Sequence, residues 1–344
     1  MRATRSTGPA LTSLSEGIQK AIAASLLQSK LSPQAGAIVA VIRTGAIDLF
    51  SLGTGVMADT AMEIGSVTKV FTALLVADAV RRHELQFSTR IDNLLFREEW
   101  PAPPAIDVEQ LATHTSGLPR LSMSKWEILL SPRDPYREYT REHLIHYLRQ
   151  KKPRVPVVPQ FAYSNFGYAV LGLMLEKAAS KTYEQLLQDR LLHPLNMPQT
   201  GLQLTRRPDR AAGGYNRSGH PASLWHQDAY APCGALVSTI TDLVSAVQAF
   251  LDPAHPLAET LALTLQPRVP IPGGNIGLGW ILPSSGNAFW HNGATAGYTS
   301  YLGVYVPART GIVIVVNQAL PKEATELGHQ LLRVVAQNLQ GAPL

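Results

Sequence analysis

The chain has 344 residues, 45 % of them hydrophobic and 16 % charged, a globular composition with apolar material for a sizeable core and a length suggesting about two domains. Basic residues outnumber acidic ones by 30 to 25, but runs such as Lys151-Lys152-Pro153-Arg154 and Arg206-Arg207 are dispersed and lack interleaved aromatics, so no nucleic-acid partner is expected. The single cysteine, Cys233, rules out an intrachain disulfide and a cysteine-rich zinc site, and between Pro232 and Gly234 it reads as a buried structural thiol.

In chain order, Leu11, Leu14, Ile18, Ile22 and Leu26 fall on one face of a first helix. Its run Ala21 to Leu27 carries Glu16 and Lys20 nearby and is a poor secretory signal; with no segment long enough to span a bilayer, a cytoplasmic protein without membrane association is expected. Ala37 to Ile42 reads as a buried strand, Thr44-Gly45 as a turn, and Ala46 to Phe50 as the hairpin partner. A helix follows from about Ser66 to Arg81-Arg82-His83.

The middle is mainly helical. Asp107-Val108-Glu109-Gln110 is a capping-box pattern opening a short helix, followed by the sharp turn of His114-Thr115-Ser116-Gly117-Leu118-Pro119. Another helix covers Thr140 to Gln150. Pro153, Pro156 and Pro159 then force an extended segment up to Tyr163. Gly167 to Ala179 is apolar on most sides, as a buried helix is, and Thr182 to Gln185 and Thr239 to Asp242 open two more. From Gly277 the rhythm changes: 277–282, 288–291, 299–306 and 311–316 read as an antiparallel meander, closed by an amphipathic helix with Leu327, Leu331, Val334, Val335 and Leu339 inward. The expected fold class is α/β of the α+β kind: an antiparallel sheet flanked by helices, built from residues 1–80 and 266–344, with a mainly helical domain, 81–265, inserted between the halves. The cleft between the two parts is the expected site.

Three short motifs carry the chemistry. Ser66 lies at the start of its helix with Lys69 one turn on, within reach of the hydroxyl. A serine hydroxyl is a weak nucleophile until a base takes its proton, and a desolvated lysine is able to do so; the helix N-terminus favours the oxyanion that follows. Alone this spacing is common, and Ser122-Met123-Ser124-Lys125 repeats it in a polar stretch without an apolar helix behind it. Tyr163-Ser164-Asn165 is the only Y-x-N, in a loop between the proline-rich segment and a helix, and His291-Asn292-Gly293 is the only H-x-G, at the end of a strand where glycine permits close backbone approach.

In this order, Ser66-x-x-Lys69, Tyr163-x-Asn165 and His291-x-Gly293 resemble the three motifs of serine β-lactamases and penicillin-binding proteins. The tyrosine of the second motif resembles the branch holding class C β-lactamases, D,D-carboxypeptidases, D-amino-acid peptidases and related esterases. Leu111 to Leu118, Phe166-Gly167-Tyr168, Pro194 to Met197 and Leu236 to Thr239 extend the likeness, which runs from about Ala37 to Asn317. The resemblance implies the β-lactamase/transpeptidase-like fold, with Ser66 as the acyl carrier and Lys69 and Tyr163 sharing the proton traffic. It further implies that Asn165 bonds Lys69 and the substrate amide, and that the backbone N–H groups of Ser66 and Ala294 form the oxyanion hole.

One departure from the pattern matters. Class C β-lactamases carry lysine where this chain has His291, and an imidazole is mostly neutral at pH 7, so efficient β-lactam hydrolysis is not expected. The chain lacks a G-x-S-x-G elbow, an H-E-x-x-H motif and a phosphate loop. His143 and His146 have metal-ligand spacing but no convincing third ligand, so no metal or cofactor is expected. His114 is set aside as structural. Leu121, Trp126, Tyr215, Trp225 and Trp290 are candidates for the pocket wall. The expected activity is that of a serine hydrolase acting on a small ester, amide or short peptide. The alternatives are an acyltransferase, a D,D-carboxypeptidase or weak β-lactamase, and a non-catalytic binding protein.

Overall fold

The Thr44-Gly45 turn closes a hairpin in which β1 (Gly36–Arg43) and β2 (Ala46–Gly53) pair from Arg43↔Ala46 to Gly36↔Gly53. Gly45, at φ +78°, supplies the left-handed residue that so short a connection needs. The computed structural model describes residues 9–96, 105–123, 134–151, 156–202 and 211–340. The short strands β3 (Met62–Glu63), β4 (Gly201–Leu202) and β5 (Leu236–Ser238) form a small sheet ordered β3-β5-β4. The C-terminal part supplies β6 (Val269–Ile271), β7 (Gly274–Ile276), β8 (Ile281–Pro283), β9 (Ala288–Ala294), β10 (Thr299–Tyr305) and β11 (Thr310–Val316).

These strands join the N-terminal hairpin in one antiparallel sheet ordered β2-β1-β11-β10-β9-β8-β7-β6. The junction is β1 on β11, from Ala37↔Val316 to Ile42↔Gly311, so the two ends of the chain make a single β-layer. Successive strand residues point to opposite faces. Ile38, Ala40 and Ile42 face the cluster on the side of the Ile240–Leu251 helix, whereas Ala37, Val39 and Val41 share a second cluster with Ile18, Ile22, Leu327, Leu331 and Val335 of the terminal helices. A strand buried on both faces is a continuous apolar run, as Ala37 to Ile42 is.

Two expectations fail locally. The first helix, Pro9–Ala23, does not continue through Leu26: Ser25 accepts from the Gln28 N–H and starts a second helix, Leu26–Lys30. The break shifts the phase by one residue, so Leu27 is buried and Leu26 is 55 % exposed. Residues 277–280 are not strand either. Gly279, at φ +71°, lies so close to the Thr68–Arg81 helix that a Cβ there would sit 2.8 Å from the Lys69 carbonyl oxygen, and the strand starts only at Ile281. The β6–β7 hairpin before it, with Gly273 at φ +82°, was not anticipated.

The middle of the chain follows its punctuation. Both expected capping boxes form, Asp107 with Gln110 and Thr182 with Gln185, and Thr239 caps the Ile240–Leu251 helix. The Asn165–Ala179 helix buries Phe166, Tyr168, Val170, Leu171, Met174 and Leu175, on more than one face. The side chains of Leu11, Leu14 and Leu339, together with Lys125, Trp126, Pro153, Arg154, Arg206 and Arg207, lie outside the described residues. Among the described residues no helix is long and apolar enough to cross a membrane.

Trp280 joins the sheet to the helices. It is fully buried, edge-on to Phe289 and Phe250, and its Nε1–H donates to Thr264 Oγ1 at 3.1 Å. Trp280→Ala is expected to lower the unfolding free energy by about 3–5 kcal/mol in urea titrations, and a loss below about 1 kcal/mol would show that the neighbours collapse into the space.

Candidate active site

Ser66 sits in a tight 3-10 turn, Gly65–Val67, that runs directly into the Thr68–Arg81 helix. Lys69 is therefore one turn along, and its Nζ donates to Ser66 Oγ at 3.0 Å. Tyr163 arrives from the other side, its hydroxyl 2.8 Å from the same Oγ. The ammonium of Lys69 is fully buried, donates to the Cys233 carbonyl at 2.7 Å, and lies 4.9 Å from the Tyr163 ring centroid and 5.5 Å from that of Tyr168. A carbonyl, a hydroxyl and two ring faces thus take the place of a carboxylate partner.

Strand β9 closes the third side. A Cβ on Gly293 would stand 2.0 Å from the Ile64 carbonyl oxygen and 3.0 Å from the Ser66 nitrogen. One on Gly65, at φ +49°, would stand 2.7 Å from the Ala294 nitrogen. Two glycines therefore let main chain meet main chain, which brings the Ser66 and Ala294 nitrogens close to one contact. The Ser300 hydroxyl fastens the contact by donating to the Ile64 carbonyl at 2.6 Å.

His291 is buried on β9 with Nδ1 2.6 Å from the Asn292 carbonyl. A carbonyl only accepts, so Nδ1 carries the proton and Nε2 the lone pair. Burial, and then the Lys69 charge, push its pKa down to about 3. The third motif thus presents a neutral ring throughout the physiological range.

Asn165 departs from expectation. Its Nδ2 donates to the Tyr136 hydroxyl at 3.3 Å, its Oδ1 has no protein partner, and no bond to Lys69 forms. Asn165 opens its helix just after the Ser164 cap, which turns its amide toward Tyr136, and the Cys233 carbonyl takes the acceptor position beside Lys69.

His114, set aside in the sequence, holds the second motif. Its carbonyl accepts the Ala162 N–H at 2.8 Å and its Nδ1 accepts the Ser164 N–H at 3.0 Å. Its ring lies 4.5 Å from that of Tyr163 and 5.0 Å from that of Tyr168. The backbone is left-handed here, φ +60°, a conformation uncommon for a side chain of this size. Burial, then the charge of Lys69, holds the imidazole well below its ordinary pKa, so it stays neutral. The sequence signalled only a sharp turn. A main-chain acceptor such as the Cys233 carbonyl leaves no sequence signal at all.

The remaining candidates separate. The Ser122 hydroxyl bonds the Tyr230 hydroxyl at 2.8 Å. The Cys233 thiol is buried and its pKa is raised by burial. Trp290 packs beneath the sheet, 4.5 Å from His329 and 5.9 Å from Tyr301, on the face away from Ser66. Trp225 lines a separate cavity of about 230 Å³ with Glu63, Glu176 and Pro232, whose wall contains none of Ser66, Lys69, Tyr163 or His291. The Tyr215 main chain is tied to Asn317 at 2.9 Å. Among the described residues no cluster of His, Cys, Asp and Glu could hold a metal ion.

The comparisons agree with this architecture. The β-lactamase family model matches residues 29–337. A β-lactamase of Pseudomonas fluorescens is 24 % identical over 88 % of this chain and 94 % of its own length. One from Escherichia coli K12 is 26 % identical over 94 % and 93 % respectively. A solved class C β-lactamase variant superposes with a TM-score of 0.80 at 21 % identity, covering 96 % of this chain and 99 % of that one. The chain belongs to the β-lactamase family, a family of serine hydrolases, and it has the β-lactamase/transpeptidase fold.

The two neutral histidines make stability depend on pH in a defined direction. In the unfolded chain they bind protons as pH falls through about 6.5. Folded His291 does so only near 3, and His114 also well below its ordinary value. The unfolded state therefore binds more protons across that window, and stability is lost as pH falls through it and is flat above. Urea titrations from pH 7.5 to 4.5 are expected to show a falling midpoint, with a shallower slope in His291→Gln; an unchanged slope would mean that the ring is charged in the fold.

Proposed function

We propose that the protein is a serine hydrolase that works through a Ser66 acyl-enzyme on a small ester or amide. The observation that carries it is the convergence of Lys69 Nζ and the Tyr163 hydroxyl on one serine oxygen, at 3.0 and 2.8 Å. One member of the Tyr163–Lys69 pair must be deprotonated for attack, and that member takes the Ser66 proton as Oγ bonds to the carbonyl carbon. Charge developing on the carbonyl oxygen would be met by the N–H groups of Ser66 and Ala294, a role supported by the nearness of both nitrogens to the glycine contact. The same proton then returns to the leaving group, and water, deprotonated by the reverse route, releases the acid. Asn165, with Oδ1 unsatisfied, offers an acceptor to a substrate amide N–H.

A second reading, β-lactam hydrolysis, draws on the names of the relatives. The neutral His291 argues against efficiency there, because it gives a β-lactam carboxylate no permanent charge. Retention of the complete Ser66–Lys69–Tyr163 contact argues against a binding protein without turnover.

Intact-mass measurement after fluorophosphonate treatment is expected to show one adduct on wild type and none on Ser66→Ala. No adduct on folded wild type would count against an activated serine. Tyr163→Phe is expected to lower kcat for an ester by about 10²–10⁴-fold, as loss of a proton-transfer group does, with a circular-dichroism spectrum like wild type. Penicillin turnover is expected to be slow in wild type and faster in His291→Lys; rapid wild-type turnover would establish the β-lactamase reading instead.

A further inference from the structure

The chemistry above accounts for one cation, Lys69, which is buried and fully engaged. With His291 neutral, the third motif has none to offer. A second cation stands at the other side of the cleft. The Arg120 guanidinium carbon lies 5.2 Å from the Tyr163 ring centroid, and the residue is exposed to solvent.

This arginine is not a free surface residue. Its carbonyl accepts the N–H groups of Asn165 at 3.0 Å and Phe166 at 3.2 Å, so its Cα is fixed to the second motif. Its charge is also felt at His114, Tyr136 and Cys233, groups around the second motif and Lys69. The nearby carboxylates are committed elsewhere: Asp134 to His226 and Arg137, and Glu63 to the Trp225 N–H. Among the described residues none pairs with Arg120. A guanidinium resting against a ring keeps in-plane N–H groups for a planar, bidentate acceptor.

We propose that Arg120 is the anion-recognition residue of this site, and that the preferred substrates are esters or amides bearing a carboxylate that lies on the Tyr163 side of the cleft instead of the His291 side. This rests on the acyl-enzyme reading above. The carboxylate would take two N–H groups of Arg120 while Asn165 Oδ1 accepts a neighbouring N–H, and the carbonyl would be left over Ser66 Oγ. The fixed charge of Arg120 supplies on one wall what the neutral ring lacks on the other.

The test compares two esters that differ at one end, 4-nitrophenyl hexanoate and mono-4-nitrophenyl adipate, on wild type, Arg120→Gln and Arg120→Lys. Wild type is expected to favour the adipate in kcat/KM, with the preference shrinking as salt rises. In Arg120→Gln the adipate-to-hexanoate ratio is expected to fall by about tenfold or more, through KM, and Arg120→Lys is expected to restore part of it. Hexanoate turnover without an adipate preference, or equal losses on both esters in Arg120→Gln, would overturn the proposal and make Arg120 a support for Tyr163. Failure of wild type to turn over either ester or to take up the fluorophosphonate would overturn the acyl-enzyme reading, and this proposal with it.

Discussion

A buried ammonium without a carboxylate is the constraint on which the rest of this structure depends. Lys69 is taken wholly out of water, and a lone charge in that position is costly unless its donors are satisfied. Satisfaction comes from three separate parts of the chain: the Ser66 hydroxyl one turn back, the Cys233 carbonyl, and the rings of Tyr163 and Tyr168.

The sheet serves this centre by bringing main chain against main chain. Because β1 pairs with β11, both ends of the sequence lock into one layer, and the strand carrying Gly293 and Ala294 is held in the middle of it. The Ser66 turn is pressed onto that strand where glycines on both sides remove the side chains. On the opposite wall, His114 fixes the Tyr163 loop through its carbonyl, its Nδ1 and its ring. The Ser66 turn, the Tyr163 loop and the β9 edge are thus each held by contacts remote in sequence.

Electrostatically the site is asymmetric. Its third motif, neutral in the fold, makes the family's usual position for a fixed charge silent, and the cations that remain are Lys69 inside and Arg120 at the rim. The lowered affinity of His114 and His291 for protons has one cause in both, burial reinforced by the Lys69 charge. Burial first, and the Lys69 charge second, keep both histidines out of the charge balance.

The three motifs were legible in the sequence because each is a local pattern: a serine and lysine one helical turn apart, a tyrosine after a proline-stiffened segment, a histidine and glycine ending a strand. Capping boxes and the two-residue hairpin were legible for the same reason, since their hydrogen bonds close within a few residues. The break at Ser25, the turn at Gly279 and the Asn165–Tyr136 bond were not, because each is decided by a neighbour far along the chain. The sequence by itself determined the class of fold and the order of most of the elements, and it displayed the three motifs as local patterns. Only the tertiary structure decided which groups meet: that a main-chain carbonyl at Cys233 holds Lys69, that Asn165 turns to Tyr136, that His291 stays neutral, and that Arg120 stands over Tyr163. Burial and distance set those outcomes, and neither is a property of any single stretch of chain.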